Sequence, residues 1–393
     1  MKRLPIILAS LFSLSSLFAY DFSAVVSDGT TLKFYNGEFK DPELKQTETF
    51  TGAFTTPVGG SGLSFFSVEG SVQHKLEKTT GDNSSSKNSV IADFTLFKFS
   101  TVKKLEGGKN LQVSAGRFYY SDVTGIVFSQ PNDGLYFKYG GKKLEASVYG
   151  GYTGLQNVKN VSILTSKGAV WAPKDEKDVY DFSSPYAVGS LFVSAPYFFK
   201  NQTISFECMG MFNVAGPADL KDDDNRLYGT ICLAGPLSPS VFYSISGTMQ
   251  TEDFSDFGIL GKFSLNYFVP VKNTTVGLNG LYASSSNGKI KAFTGFSKSV
   301  VCLSRNEDLC SEIMKFGASA SFLPVPKVLV AAGFDTVYKL SGSSTEFYGF
   351  QAGISGTYRI FSDLKMSLSL SNFTGKYKEA SRTDVSFGLA LAL

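Results

Sequence analysis

From Tyr186 to the C-terminus the sequence repeats one unit: an extended segment of alternating side chains, then a connection. Apolar residues take one side of each segment, and small or polar residues take the other, because successive side chains of a strand point to opposite faces. Segments of this kind are expected at Tyr186–Ser194, Thr203–Phe212, Leu227–Ala234, Val241–Gln250, Ile259–Phe268 and Thr275–Ala283. They continue at Ile313–Phe322, Val328–Tyr338, Phe347–Tyr358, Leu364–Phe373 and Val385–Leu393. The connections sort by parity. Short ones, often with proline (Ala195-Pro196, Val269-Pro270-Val271, Pro324-Val325-Pro326), alternate with more polar ones (Asp219 to Asn225, Thr251 to Asp256, Ser284 to Glu312, Leu340 to Thr345). A membrane barrel with tight turns at one rim and longer loops at the other predicts this sorting. A soluble sandwich does not.

Earlier segments read less cleanly. Strands are expected around Phe66 to Lys75, Val90 to Ser100, Leu111 to Ala115, Leu135 to Tyr139 and Leu144 to Gly150. Asp21 to Tyr35 and Gln46 to Thr56 are extended but poorly patterned. The expected fold is all-β: a single transmembrane antiparallel up-and-down barrel of about 18 strands (16 remains open), with both termini periplasmic. Composition agrees: 36 Phe, 19 Tyr and 39 Gly accompany a mean hydropathy near zero. Such values follow when an oily and a watery face average out. Two stretches lack strand patterning, Gly154 to Pro185 and Ser284 to Glu312, and are expected as long external loops.

The N-terminus, Met1-Lys2-Arg3 followed by an apolar run to Leu17-Phe18-Ala19, has the form of a secretory signal peptide, with cleavage expected after Ala19. Residues 20–393 would then form the barrel. The chain has 37 Lys and Arg, two of them in that leader, against 34 Asp and Glu. This balance argues against a nucleic-acid partner. Cys302 and Cys310 bracket a polar stretch and suit either a loop disulfide or two free thiols. Cys208 and Cys232 fall in one expected hairpin. With His74 as the single imidazole, and phased away from Ser71, neither a zinc site nor a Ser–His catalytic pair has support. The acidic run Asp219, Asp222, Asp223 and Asp224 lacks EF-hand spacing and reads as a solvated loop rather than a Ca²⁺ site. No cofactor and no enzymatic activity are expected.

The last strand adds a resemblance. Ser386, Gly388, Leu391 and Leu393 stand in the register of the C-terminal signal of bacterial outer-membrane barrels, which usually ends in an aromatic residue where this chain has Leu393. The resemblance implies outer-membrane lipid as solvent and recognition by the barrel-assembly machinery. The segment Gly116 to Gly134 also resembles one in spirochaete outer-membrane barrels.

If one face of each strand meets lipid, the other lines a lumen. Phase assigns Glu69, Gln73, Lys75, Lys138, Glu145, Glu207, Lys262, Asn266, Lys315, Gln351 and Lys365 to the lumen, with Asp93 and Asp335 as additions. Each either meets water or pairs with an opposite charge. Their mixed signs predict weak charge selectivity. The stretch Arg117 to Asp133, with Tyr119, Tyr120 and Asp122, is expected as an ordered loop at the pore mouth. The expected function is a porin-like channel for passive diffusion of small hydrophilic solutes, and an oligomer is compatible with it. Two alternatives stand beside it: a transporter of hydrophobic compounds plugged by residues 21–46, and an adhesin or antigen acting through the long loops.

Overall fold

The computed structural model describes residues 21–60, 62–80, 84–166, 168–170, 178–214, 224–252, 254–306 and 309–393. The expected signal peptide lies outside the described residues, as do Asp219, Asp222 and Asp223. The first nine strands are β1 (Asp21–Tyr35), β2 (Glu43–Pro57), β3 (Ser64–Thr79), β4 (Ser85–Leu105), β5 (Lys109–Ser121), β6 (Ser129–Gly140), β7 (Glu145–Tyr152), β8 (Tyr186–Phe199) and β9 (Gln202–Asn213). Then come β10 (Arg226–Ser238), β11 (Val241–Thr251), β12 (Phe257–Val269), β13 (Thr274–Ala283) and the two-residue β14 (Ile290–Lys291). The last five are β15 (Ile313–Val325), β16 (Val328–Ser341), β17 (Ser344–Arg359), β18 (Leu364–Gly375) and β19 (Arg382–Ala392).

Each wall strand pairs antiparallel with its sequence neighbours, and β13 passes directly to β15 because β14 belongs to a loop. The sheet closes where β1 meets β19, from Val25 opposite Ala392 to Tyr35 opposite Arg382. Closure leaves eighteen wall strands and removes the two edges that an open sheet would present. Both ends of the described chain, Asp21 and Leu393, lie at the rim of short turns.

Register fixes the two faces. Phe316, Phe334, Phe350, Leu368, Phe387 and Leu389 are exposed on the outer face. Their neighbours Gly317, Asp335, Gln351, Ser369, Ser386 and Gly388 turn inward. A Cβ at Gly388 would lie 2.7 Å from Ser367 Oγ, so that hydroxyl would have to turn aside for any larger residue. Ser386 shares a hydrogen bond of 2.9 Å with Thr31 at the closing seam. His74 points outward with Phe66 and Val72 and sits 3.4 Å from Glu48 of β2.

Three expectations change. Residues 21–35 and 43–57 are wall strands, so the segment proposed as a plug builds the barrel instead; the turn 36–42 joins them. Its weak patterning reflects outward polar residues, Asp28 and Glu48, where apolar ones were sought. The expected pore-mouth loop 117–133 shrinks to residues 122–128, because β5 and β6 stay paired up to Ser121 opposite Ser129. Finally, Cys302 and Cys310 are both buried as thiols, while Cys208 faces outward and Cys232 inward, so neither pair forms a disulfide.

Candidate functional site

The lumen is divided. Between β5 and β10 the inward side chains are large: Phe118, Tyr120, Tyr149, Tyr186, Met209, Met211 and Tyr228. Tyr120 stacks on Tyr149 with ring centroids 3.9 Å apart. Three loops fold down onto this surface, and their apolar residues Phe128, Ile163, Phe293 and Phe296 are essentially inaccessible to solvent. Phe296 packs between Phe128 and Tyr186. Each such ring gains about 1.5–3 kcal/mol by leaving water. The two stretches read as external loops therefore return inward.

The first of the three, residues 122–128, is organised by Asp122. Its carboxylate accepts the N–H groups of Thr124 (2.8 Å) and Phe128 (2.9 Å), which closes the turn. Two residues of the expected lumen set hold its tip. Glu207 accepts the Val123 N–H at 2.7 Å and the Ser190 hydroxyl at 2.7 Å, and Lys262 Nζ donates to Thr124 O at 2.8 Å. The loop 284–312 is joined to it by the Phe296 and Ser297 N–H groups, both donating to Val127 O. Lys315 Nζ donates to Val301 O at 3.0 Å, and Gln351 accepts the Leu303 N–H at 2.7 Å. Sequence phase placed these four residues on the inner face; their work there is to hold loops.

Arg226 was missed by the sequence reading. It is fully buried, with Nε 3.0 Å from Asp224 Oδ1. Its Nη2 donates to Leu164 O at 2.5 Å and its Nη1 to Gly295 O at 3.2 Å, while the guanidinium lies over the Phe296 ring. One side chain thus ties loops 153–185 and 284–312 to the wall. Asp224 also accepts the Tyr186 hydroxyl and the Ser166 N–H, so this member of the acidic run is buried and paired rather than solvated. The signal available was an Asp-Asn-Arg triplet at a strand start, which is too common to read.

The opposite wall, β15 to β19, is also packed where loop 284–312 meets it, with Ile313, Val337 and Phe373 inaccessible to solvent, and toward the short-turn rim it is lined by small residues: Ser319, Gly333, Gly353, Ser355 and Ser369. A recess of about 390 Å³ runs past Lys262, Asn279, Lys315 and Asp335 as well as Leu281 and Val301. Another of about 220 Å³ is bounded by Gly333, Gly353, Ser355, Ser369 and Ser371.

The remaining expected lumen residues, Glu69, Gln73, Lys75, Lys138, Glu145, Asn266 and Lys365, are also in the inward phase, as are Asp93 and Asp335. Many inward charges are paired: Lys33–Glu43 at 3.3 Å, Lys45–Glu77 at 2.9 Å, Lys138–Glu145 at 3.2 Å, Lys315–Asp335 at 3.1 Å and Arg382–Asp384 at 2.6 Å. Of the expected mouth residues, Tyr120 faces inward and Asp122 organises its loop. Arg117, Tyr119 and Asp133 stand in the outward phase, with Arg117 and Asp133 joined by two hydrogen bonds.

Solved structures of bacterial proteins share this architecture. The chain superposes on Acinetobacter baumannii OccAB4 with a TM-score of 0.63 at 10% identity, covering 95% of this chain and 98% of that one. It superposes on Pseudomonas aeruginosa OpdQ with 0.62 at 10% identity (96% and 99%), and on Pseudomonas aeruginosa OccK5 (OpdH) with 0.61 at 11% identity (95% and 98%). At such identities the likeness is one of fold. No family model matches the sequence, and no curated protein matches it.

Proposed function

We propose that this protein is a bacterial outer-membrane channel through which small hydrophilic solutes diffuse passively, with weak charge selectivity. The observation that carries the reading is the unfilled half of the lumen: small and hydroxyl-bearing side chains line it, and most ionised groups around it are neutralised in pairs. A pore selects strongly by charge when one sign dominates its walls. Here many of the inward cations stand against an anion. The short-turn rim, where both termini lie, is the periplasmic side in this reading, and the loops that fold inward enter from outside. Export by the leader ending at Ala19 and recognition of Ser386, Gly388, Leu391 and Leu393 by the assembly machinery complete the proposal. Transport is the task assigned to the chain, and no catalysis. The adhesin alternative loses ground because the long loops turn Ile163, Phe293 and Phe296 inward to pack the lumen.

Reconstitution into planar bilayers tests the reading. We expect stable conductance steps and a reversal potential near zero under a KCl gradient. Bilayers that stay silent with correctly folded barrel would overturn it.

A further inference from the structure

The barrel wall has a breach. β4 pairs with β5 only from Phe97 opposite Arg117 to Leu105 opposite Lys109, yet it continues for another full turn of wall, Ser85 to Leu96, bonded on its other side to β3 alone. Beyond Arg117, β5 is bonded only to β6. Loop 153–185 covers the gap. Val179 O accepts the Ala92 N–H at 3.4 Å, Asn157 Nδ2 donates to Ala92 O at 3.2 Å, and Arg117 donates to Phe94 O at 3.1 Å and Leu155 O at 2.6 Å.

On the outer face this repair leaves an apolar groove of about 880 Å³. Its floor is the cross-strand pair Gly52 and Gly70, and its flanks include Phe50, Val72, Phe94 and Phe182. The aromatic flanks are strongly exposed, Phe94 at 61% and Phe182 at 62%. The groove is continuous with the hydrocarbon-facing surface, so what fills it comes from the membrane. An empty trough of that size would forfeit dispersion contacts along its whole lining. At its polar end Arg117 is shared by Asp133 and, at 3.6 Å, by Asp93. Asp93, inward by register, borders the groove through the gap between β4 and β5; its Oδ2 accepts the Asn160 amide at 2.8 Å, and its buried Oδ1 has no hydrogen-bond partner among the described residues. That end suits an amine and repels an anion.

We propose that the groove binds one membrane phospholipid, with an alkyl chain along the Gly52–Gly70 trough and an ammonium-bearing headgroup toward Asp93. The site is independent of the pore, and its failure would leave the channel reading untouched because conductance is measured separately. The test is native mass spectrometry of delipidated, folded barrel titrated with phosphatidylethanolamine or phosphatidylglycerol. We expect one phosphatidylethanolamine retained per chain and much weaker retention of phosphatidylglycerol. Gly52→Leu with Gly70→Leu puts bulk into the trough, where each added Cβ has room (nearest atoms 3.9 and 3.5 Å away), and should abolish retention. Gly356→Leu, on the outer face with nothing within 4 Å, should not. Heat-modifiable migration on gels checks that each variant is folded. Absence of bound lipid, equal retention of both headgroups, or retention that survives the double substitution would each overturn the proposal.

Discussion

The wall from β5 to β10 and the wall from β15 to β19 obey the same alternation, yet their inward faces do opposite things. In the first, Phe118, Tyr149, Tyr186 and Tyr228 meet three loops and behave as the core of a soluble domain. In the second, loop 284–312 covers only the residues nearest it, among them Ile313, Val337 and Phe373, and toward the short-turn rim Ser355 and Ser369 border an open recess that behaves as the bank of a water channel. Strand phase therefore says which side a residue is on, and side-chain size says whether that side is packed or open. Polar groups hold loops on both walls: Arg226, Asp224 and Glu207 on the first, Lys315, Gln351 and Arg382 on the second, and a buried charge left unpaired among them would be costly.

The contrast can be broken most severely at Arg226. Replacing it with Met leaves Asp224 buried without its cation and two loop carbonyls without a donor, a loss of about 3–5 kcal/mol. We expect rapid proteolysis within 153–170 and 284–306 while the barrel keeps its heat-modifiable migration; unchanged resistance would show that the loops are held elsewhere. Phe296→Ala removes the ring between Phe128 and Tyr186, a change of about 3–5 kcal/mol, whereas Ser369→Ala should stay within about 0.5 kcal/mol. Denaturation midpoints compare the two, and equal midpoints would erase the distinction. Smaller is the effect of unpairing an inward charge. Lys45→Gln should move the reversal potential toward cation preference and Glu77→Gln toward anion preference, clearly at low salt and weakly at high salt. Smallest in the folded state is thiol chemistry at Cys310. Burial pushes this thiol up to about 12, so its thiolate is scarce at pH 8 and becomes available only as pH nears that value or the loop unfolds. Mass spectrometry after iodoacetamide treatment should find Cys310 modified only in denatured protein.

Much of the barrel could be read from the sequence because each strand after Tyr186 carries its own period, a local signal that needs no knowledge of its neighbours. Every polar residue assigned to the inner face by phase is found in that phase, from Glu69 to Lys365. What could not be read depends on contacts between distant residues. Nothing local distinguishes Glu207, which clasps Val123, from Lys365 on the open wall. Inward aromatics such as Tyr186 and Tyr228 were passed over because a lumen was expected to be polar throughout. The loops were read as external from length alone, although Phe293 and Phe296 within one of them needed a place to be buried. Asp21 to Tyr35 reads as extended but poorly patterned because its outward face carries Asp28, which left room for the plug alternative; the pairing with β19 makes it wall.

The most direct test of one packed and one open half is the single-channel conductance of Ser355→Phe beside that of Phe296→Ala. A ring added to the small-residue wall should narrow the path and lower the conductance, while loosening the loops should raise it. Unchanged conductance in Ser355→Phe, or a fall in Phe296→Ala, would place the pathway on the other side of the barrel and contradict the account.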